Sequence, residues 1–452
     1  MHRKQQFCNS QSRAISGEAT AALVIAIVLA LTMIVTLPAQ AQTFNVIYNF
    51  TGGRDGANPA VGLTMDERGN LYGTATSDHS TCCGSVFRLV RTASGWVLVP
   101  LYDFAGGNDG ASPISRVIFG PDGSLYGTTQ FGGGGSNCLI NLYIPGCGVV
   151  FSLKPGPTAL GPWHETVLYR FTGGSDGAVP YFANLAFDQA GNIYGTTWIG
   201  GSEGSCLYGQ HCGTVYKLTR SGSAWNQSVI WNFGQNGDGV MPVGGVIFDQ
   251  AGYLYGTTSG GGQNGSGDFC YQGIYGPTTV YQLTPSGSGW TENVLYTFPS
   301  GSGDLVYSPL IFDESGSLFG AACNGGLSDS SGGLVFKLMP SGGKWDYSGL
   351  YNFSGGPGGG PVQSLFMDSA GNLYGTTSTD GAHGFGSVFK LTLSNGTWTQ
   401  TVLHDFTGGS DGAYPWGTPV FDANGNIYGT TYGGGTGGSC DIGCGVVWEI
   451  TP

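Results

Sequence analysis

Two loops of this chain set an acid close to a histidine, Asp78 beside His79 and Asp380 three residues before His383. A carboxylate near an imidazole can pass protons at neutral pH, and that chemistry suits a hydrolase or lyase acting on polysaccharide. Five further carboxylates, Asp55, Asp109, Asp176, Asp238 and Asp411, recur in turns of the Gly-Gly-x-Asp-Gly type. One carboxylate per repeat has the chemistry of a calcium ligand, yet calcium needs several oxygens and each turn offers one acid among glycines. An Asx-type turn is therefore expected and no metal site. The glycines precede neither a helix nor a Lys-Ser/Thr pair, so they form no phosphate loop and no cofactor is expected.

A second set of residues suits binding rather than catalysis. Arg116, Tyr181, Phe182, Asn184, Tyr307, Gln363, Tyr414 and Trp416 lie just before one recurring strand, and Gln130, Trp198 and Tyr432 lie just after the next. Aromatic platforms with a few polar groups fit a sugar or another neutral ligand. Of these, Arg116, Tyr181, Asn184, Trp198, Tyr307, Gln363 and Trp416 are the candidate ligand-binding residues. The same rings could instead plug a channel or pack between repeats. No unique acid, base and nucleophile set accompanies them, so a non-catalytic binding scaffold is the leading expectation and the polysaccharide hydrolase or lyase the alternative.

The cysteines point to an oxidising compartment. Cys138 with Cys147, Cys206 with Cys212 and Cys440 with Cys444 are each close enough in sequence to staple one loop. Cys82, Cys83, Cys270 and Cys323 remain, with Cys270 to Cys323 one available pairing and Cys82 to Cys83 another. The histidines show no ligand spacing beside these thiols, which argues against zinc.

A sevenfold repeat must position all of these groups. Leu71-Tyr72-Gly73-Thr74 returns at Leu125, Ile193, Leu254, Leu318, Leu373 and Ile427, with Phe319-Gly320-Ala321 as the one variant core. Each aromatic lies six residues after Asp66, Asp188, Asp249, Asp313, Asp368 or Asp422, with Gly120 as the exception. A run such as Val388-Phe389-Lys390-Leu391 follows, then a turn and a Trp. Trp96, Trp163, Trp225, Trp290, Trp345 and Trp398 each precede a Phe by eight residues, an even spacing that places both rings on one face of a strand.

Each unit thus carries four short strands, A ending at the Asp, B with the Tyr-Gly, C and D, joined by turns too tight for a crossover helix. Four-stranded antiparallel units in tandem form an all-β, seven-bladed β-propeller. The chain ends on a C strand, and Val46–Phe50 reads as an isolated D strand, so the first strand is expected to close the last blade. The B-to-C aromatic spacing varies from 15 to 26 residues while A to B stays at 6. Insertions therefore collect in one connection, which shares a face with the D-to-A loops, and that face is the candidate site.

Composition bounds the rest. The 452 residues include 85 Gly, 13% aromatic and 10% charged residues, a composition that fits an all-β chain of tight turns and excludes a disordered one. The formal charge is −13 with scattered basic residues, which argues against nucleic acid and anionic membranes as partners. Arg3, Lys4 and Arg13, the apolar run Ala21–Leu37 and Pro38-Ala39-Gln40-Ala41 form an export signal, with residues 1–41 removed and 42–452 a single propeller.

The string Leu168-Tyr169-Arg170-Phe171-Thr172-Gly173-Gly174-Ser175-Asp176-Gly177-Ala178, with Phe187-Asp188-Gln189-Ala190-Gly191-Asn192-Ile193-Tyr194-Gly195-Thr196-Thr197, resembles the GloVer tandem repeat of bacterial exported proteins. The resemblance spans about residues 46–452. It implies a propeller-like exported protein in a family of varied surface anchors and no assigned activity. This chain stops at Thr451-Pro452 without an anchor helix, so a secreted or periplasmic monomer is expected, with carbohydrate or a surface protein as its partner and no membrane contact after signal cleavage.

Overall fold

The computed structural model describes residues 42–452 except 78–82, 136–137, 139–144, 158–162, 207–209, 236, 261–277, 300–305, 324–331, 355–358 and 439. The signal segment, the Asp78 and His79 pair, Cys82 and Cys270 lie outside the described residues. No helix among the described residues is long and apolar enough to cross a membrane. Seven four-stranded antiparallel sheets account for the regular structure. In blade 1 strands A to D are Thr64–Met65, Leu71–Ala75, Ser85–Thr92 and Gly95–Asp103. In blade 7, Val420–Phe421, Ile427–Thr431 and Val446–Thr451 are completed by Thr43–Asn49, so the first strand does close the last blade.

Burial peaks one strand out from the axis, the innermost A strands being mostly half-buried. The B strands are buried at every position, whereas the D strands alternate exposed and half-buried residues, as an outer edge with one wet face must. The core lies between blades and is built on aromatic pairs. Phe104 packs edge-on to Phe151 of the next blade, Phe171 to Tyr216, Phe298 to Phe336, and Phe50 to Phe87 across the closure. These C-strand rings explain the glycine of the Tyr-Gly motif. A Cβ on Gly73 would stand 2.5 Å from the Phe87 ring, and one on Gly256 2.3 Å from the Tyr281 hydroxyl. No side chain fits there.

One expectation is corrected. Trp96 and Phe104 do not share a face: Trp96 packs on Tyr428 of the preceding blade while Phe104 packs on Phe151 of the following one. The C–D ladder carries a β-bulge in which Val86 pairs with Tyr102 and Phe87 with Pro100. The extra residue reverses the alternation, and the same shift recurs in blades 2 to 6. Each D strand thereby grips both neighbours.

Candidate ligand-binding site at the channel mouth

The recurring acids are structural. Asp66 Oδ1 accepts the backbone N–H groups of Arg68 and Asn70, and Oδ2 accepts Asn70 Nδ2 and the Tyr72 hydroxyl at 3.1 Å. This is why Asp and Tyr stand six residues apart. In blade 2, where Gly120 replaces the acid, Asp122 takes the Tyr126 hydroxyl at 3.2 Å. In blade 5, where Phe319 has no hydroxyl, Lys337 Nζ donates to Asp313 Oδ2 at 3.2 Å. The Gly-Gly-x-Asp-Gly acids behave alike: Asp55, Asp109 and Asp176 accept from Tyr48, Tyr102 and Tyr169, Asp238 from Trp231 Nε1, and Asp411 pairs with His404. They close their own turns by accepting the N–H groups of Thr51, Ala105, Thr172, Gly234 and Thr407, each four residues earlier, so the acids are turn-closing but not through the two-residues-on bond of an Asx turn. Among the described residues no group of three potential metal ligands converges.

The loop face is built as the spacing implied. In blades 1, 2, 3 and 7 isolated bridges tie the D-to-A loop to the B-to-C loop, Ala57 with Ser77, Ala111 with Phe131, Ala178 with Ile199 and Ala413 with Gly433. Disulfides Cys138–Cys147, Cys206–Cys212 and Cys440–Cys444 staple three of the variable loops, and Cys83 and Cys323 are also disulfide-bonded. Asp380 and His383 share one short loop, with His383 exposed to solvent.

The channel candidates divide into a plug and a rim. Tyr181, Tyr307 and Gln363 are about 95% buried. Tyr181 joins Phe182, Val61, Val243, Tyr307 and Val362 in one apolar cluster drawn from five blades. Burial raises the Tyr181 hydroxyl well above the usual phenol range, reinforced by Tyr307 and Tyr432 close by. Trp198 lies over Tyr181 at 5.5 Å, and Trp416 stacks on Tyr432 at 4.4 Å, both tryptophans half-buried at the edge of the plug. Among the described residues Gln363 Nε2 and Trp198 Nε1 have no hydrogen-bond partner.

Arg116, in blade 2, is tied to the blades on either side. Its Nε donates to Thr64 Oγ1 at 3.0 Å, its backbone N–H donates to Asn184 Oδ1 at 3.1 Å, and burial lowers its guanidinium pKa. Close backbone approach narrows the axis. A Cβ on Gly62 would stand 2.8 Å from the Thr418 carbonyl, and one on Gly245 2.0 Å from the Asn184 carbonyl.

Sequence reasoning passed over two acids on D strands. Burial, then the nearby Asp109, lifts Glu165 to about 7, with Arg170 opposing; burial, then Asp238, lifts Glu292 to about 8. Both lie two residues after a Trp, a signal present in the sequence, but the acids they face belong to the preceding blade.

The fold has relatives of known structure. An ulvan lyase of a polysaccharide lyase family matches 80% of this chain and 86% of its own at 12% identity, with a TM-score of 0.50. The extracellular domain of a protein assigned as a hybrid two-component system of B. thetaiotaomicron matches 90% of this chain and 39% of its own at 12% identity, with a TM-score of 0.50. At that identity the likeness is one of fold alone. No curated protein matches. The model of the Gloeobacter/Verrucomicrobia repeat matches residues 32–205 and 269–452, leaving out the stretch with the nine-residue innermost strand Val240–Phe248. Matching most of the chain and repeating the same turn and aromatic pairs around the ring, the protein belongs to the Gloeobacter/Verrucomicrobia repeat family.

Proposed function

We propose that this protein is an exported, monomeric, non-catalytic binding scaffold whose loop face holds a carbohydrate or a surface protein. One observation carries the reading: loops of variable length, three of them closed by disulfides, stand on one face of a rigid ring. Pre-organised loops lose little conformational freedom when a partner binds. The disulfides support export, because such bonds persist in oxidising compartments. The polysaccharide lyase noted above shares 12% identity, so its activity is not carried over.

A thermal-shift screen of oligosaccharides and peptides tests the reading on the mature chain. A stabilising ligand whose effect disappears in Trp416→Ala, and weakens when Cys206 and Cys212 are both Ser, is the expected outcome. A screen in which nothing stabilises the protein contradicts it. N-terminal sequencing of the secreted protein tests export, with Gln42 expected as the first residue.

A further inference from the structure

The face opposite the variable loops carries grooves between blades, and one of them departs from the repeat. Between blades 3 and 4 the A–B turns and the C–D hairpin enclose a groove of about 650 Å³, within the range of small-molecule sites. Trp290 forms one wall, half-buried and edge-on to Tyr194 at 6.3 Å, beside Pro285. Asp188 and Asp249 line the groove, with the exposed amides of Gln189 and Gln250 at its rim.

The two acids are not equally engaged. Asp188 Oδ2 accepts Asn192 Nδ2 and the Tyr194 hydroxyl and lies 3.9 Å from Lys217 Nζ. In blades 1, 3, 6 and 7 an Asn holds this oxygen in the same way. Blade 4 has Tyr253 instead, which gives its backbone N–H to Asp249 Oδ1 and has no side-chain amide. Asp249 Oδ2 accepts from the Tyr255 hydroxyl alone among the described donors. An ionised carboxylate oxygen has room for further donors. The groove therefore combines an indole wall, an under-used carboxylate acceptor and two amides.

The geometry points to a neutral polysaccharide as the ligand of this groove, with a pyranose ring against Trp290 and a hydroxyl donating to Asp249 Oδ2. The apolar C–H face of a pyranose suits an indole, and its hydroxyls suit a carboxylate and amides. Two carboxylates against Lys217, whose charge lies beside Asp188, disfavour an acidic glycan. A second groove of about 420 Å³ between blades 7 and 1 repeats the plan with Trp96, Asp66 and Asp422. There the Arg91 guanidinium lies 5.7 Å from the Trp96 ring centre and competes for that face. The site between blades 3 and 4 is thus the stronger of the two, and it stands independently of binding on the loop face.

Affinity electrophoresis of the mature chain in gels containing laminarin, xyloglucan or galactomannan, with alginate as the acidic comparator, tests the assignment. Retardation by at least one neutral polysaccharide is expected. In Trp290→Ala and Ala251→Arg the dissociation constant rises by roughly tenfold or more, while Ala370→Arg, the same change on the corresponding exposed turn of blade 6, binds as the wild type does. Ala251 is exposed on the turn and its backbone N–H still serves Asp249 after substitution, so Ala251→Arg decides the matter if Trp290→Ala does not fold. Absence of retardation by all three neutral polymers, wild-type affinity in Ala251→Arg, preference for alginate, or loss of binding in Ala370→Arg each overturns the assignment.

Discussion

The ring of Phe50 meets that of Phe87 edge-on, with 5.2 Å between centroids and 67° between planes. Phe50 follows the first strand of the chain, which completes blade 7, and Phe87 lies in strand C of blade 1. The contact that other blades make between sequence neighbours is made here across the closure. Phe104 to Phe151, Phe171 to Tyr216 and Phe353 to Phe389 have centroid distances between 4.9 and 5.1 Å. Closure therefore uses the ordinary blade-to-blade contact.

The Tyr-Gly glycine should be intolerant of a single methyl group. Gly256→Ala places a Cβ 2.3 Å from the Tyr281 hydroxyl, inside a fully buried interface, and overpacking of this kind costs about 1–3 kcal/mol. Gly349→Ala, whose new Cβ meets only the Tyr347 hydroxyl at 3.7 Å, serves as the comparison and stays near neutral. Urea denaturation of both variants measures the difference, and equal stabilities would remove the packing account of the motif.

Blade 5 offers a test of the Asp–Tyr bond by its own substitution. Lys337 stands in for the missing hydroxyl, so Lys337→Ala leaves Asp313 Oδ2 without that donor and costs about 1 kcal/mol. Lys390→Ala in blade 6 costs less, because Tyr374 already donates to Asp368 at 3.1 Å. Adding Phe319→Tyr to Lys337→Ala is expected to restore the loss. A double-mutant cycle in urea reads the coupling, and additivity of the two changes would refute it.

Stability should fall as the solution becomes alkaline. Glu165 and Glu292 are raised from 4.5 to about 7 and about 8, so below pH 4.5 both carry their protons folded or unfolded. Above that the unfolded chain releases them while the folded chain still holds them, and the stability they confer is lost as pH rises through 7 to 8. Glu292→Gln keeps the shape and removes the titration, so its denaturation midpoint changes less between pH 5 and 8.5 than that of the wild type. An identical pH slope in both proteins would refute this.

The period of the chain exposed its ring, because seven copies of one four-strand pattern are too long for the rungs of a β-helix and bury every blade when they close on themselves. The first strand closing the last blade and the shared face of the variable loops followed from order and spacing alone. Local alternation failed at the D strand: eight residues from Trp96 to Phe104 read as one face, and only the bulge opposite Val86 and Phe87 reveals two. Contacts between distant repeats were illegible for another reason. Tyr181, Tyr307 and Val362 read as separate candidates or as none, yet they meet in one plug because three blades converge on the axis. The substitution of Tyr253 for Asn was visible, but its meaning depended on knowing that Asn192 holds the oxygen of Asp188.

Removal of the first strand tests the closed ring most directly. A chain lacking residues 42–50 leaves strand Val446–Thr451 as an open edge and Phe87 without the Phe50 ring. Its melting temperature is expected to drop by at least about 5 °C, and a synthetic peptide of residues 42–51 supplied in trans should restore most of that loss. Melting at the temperature of the intact protein, with no response to the peptide, would contradict closure by the first strand.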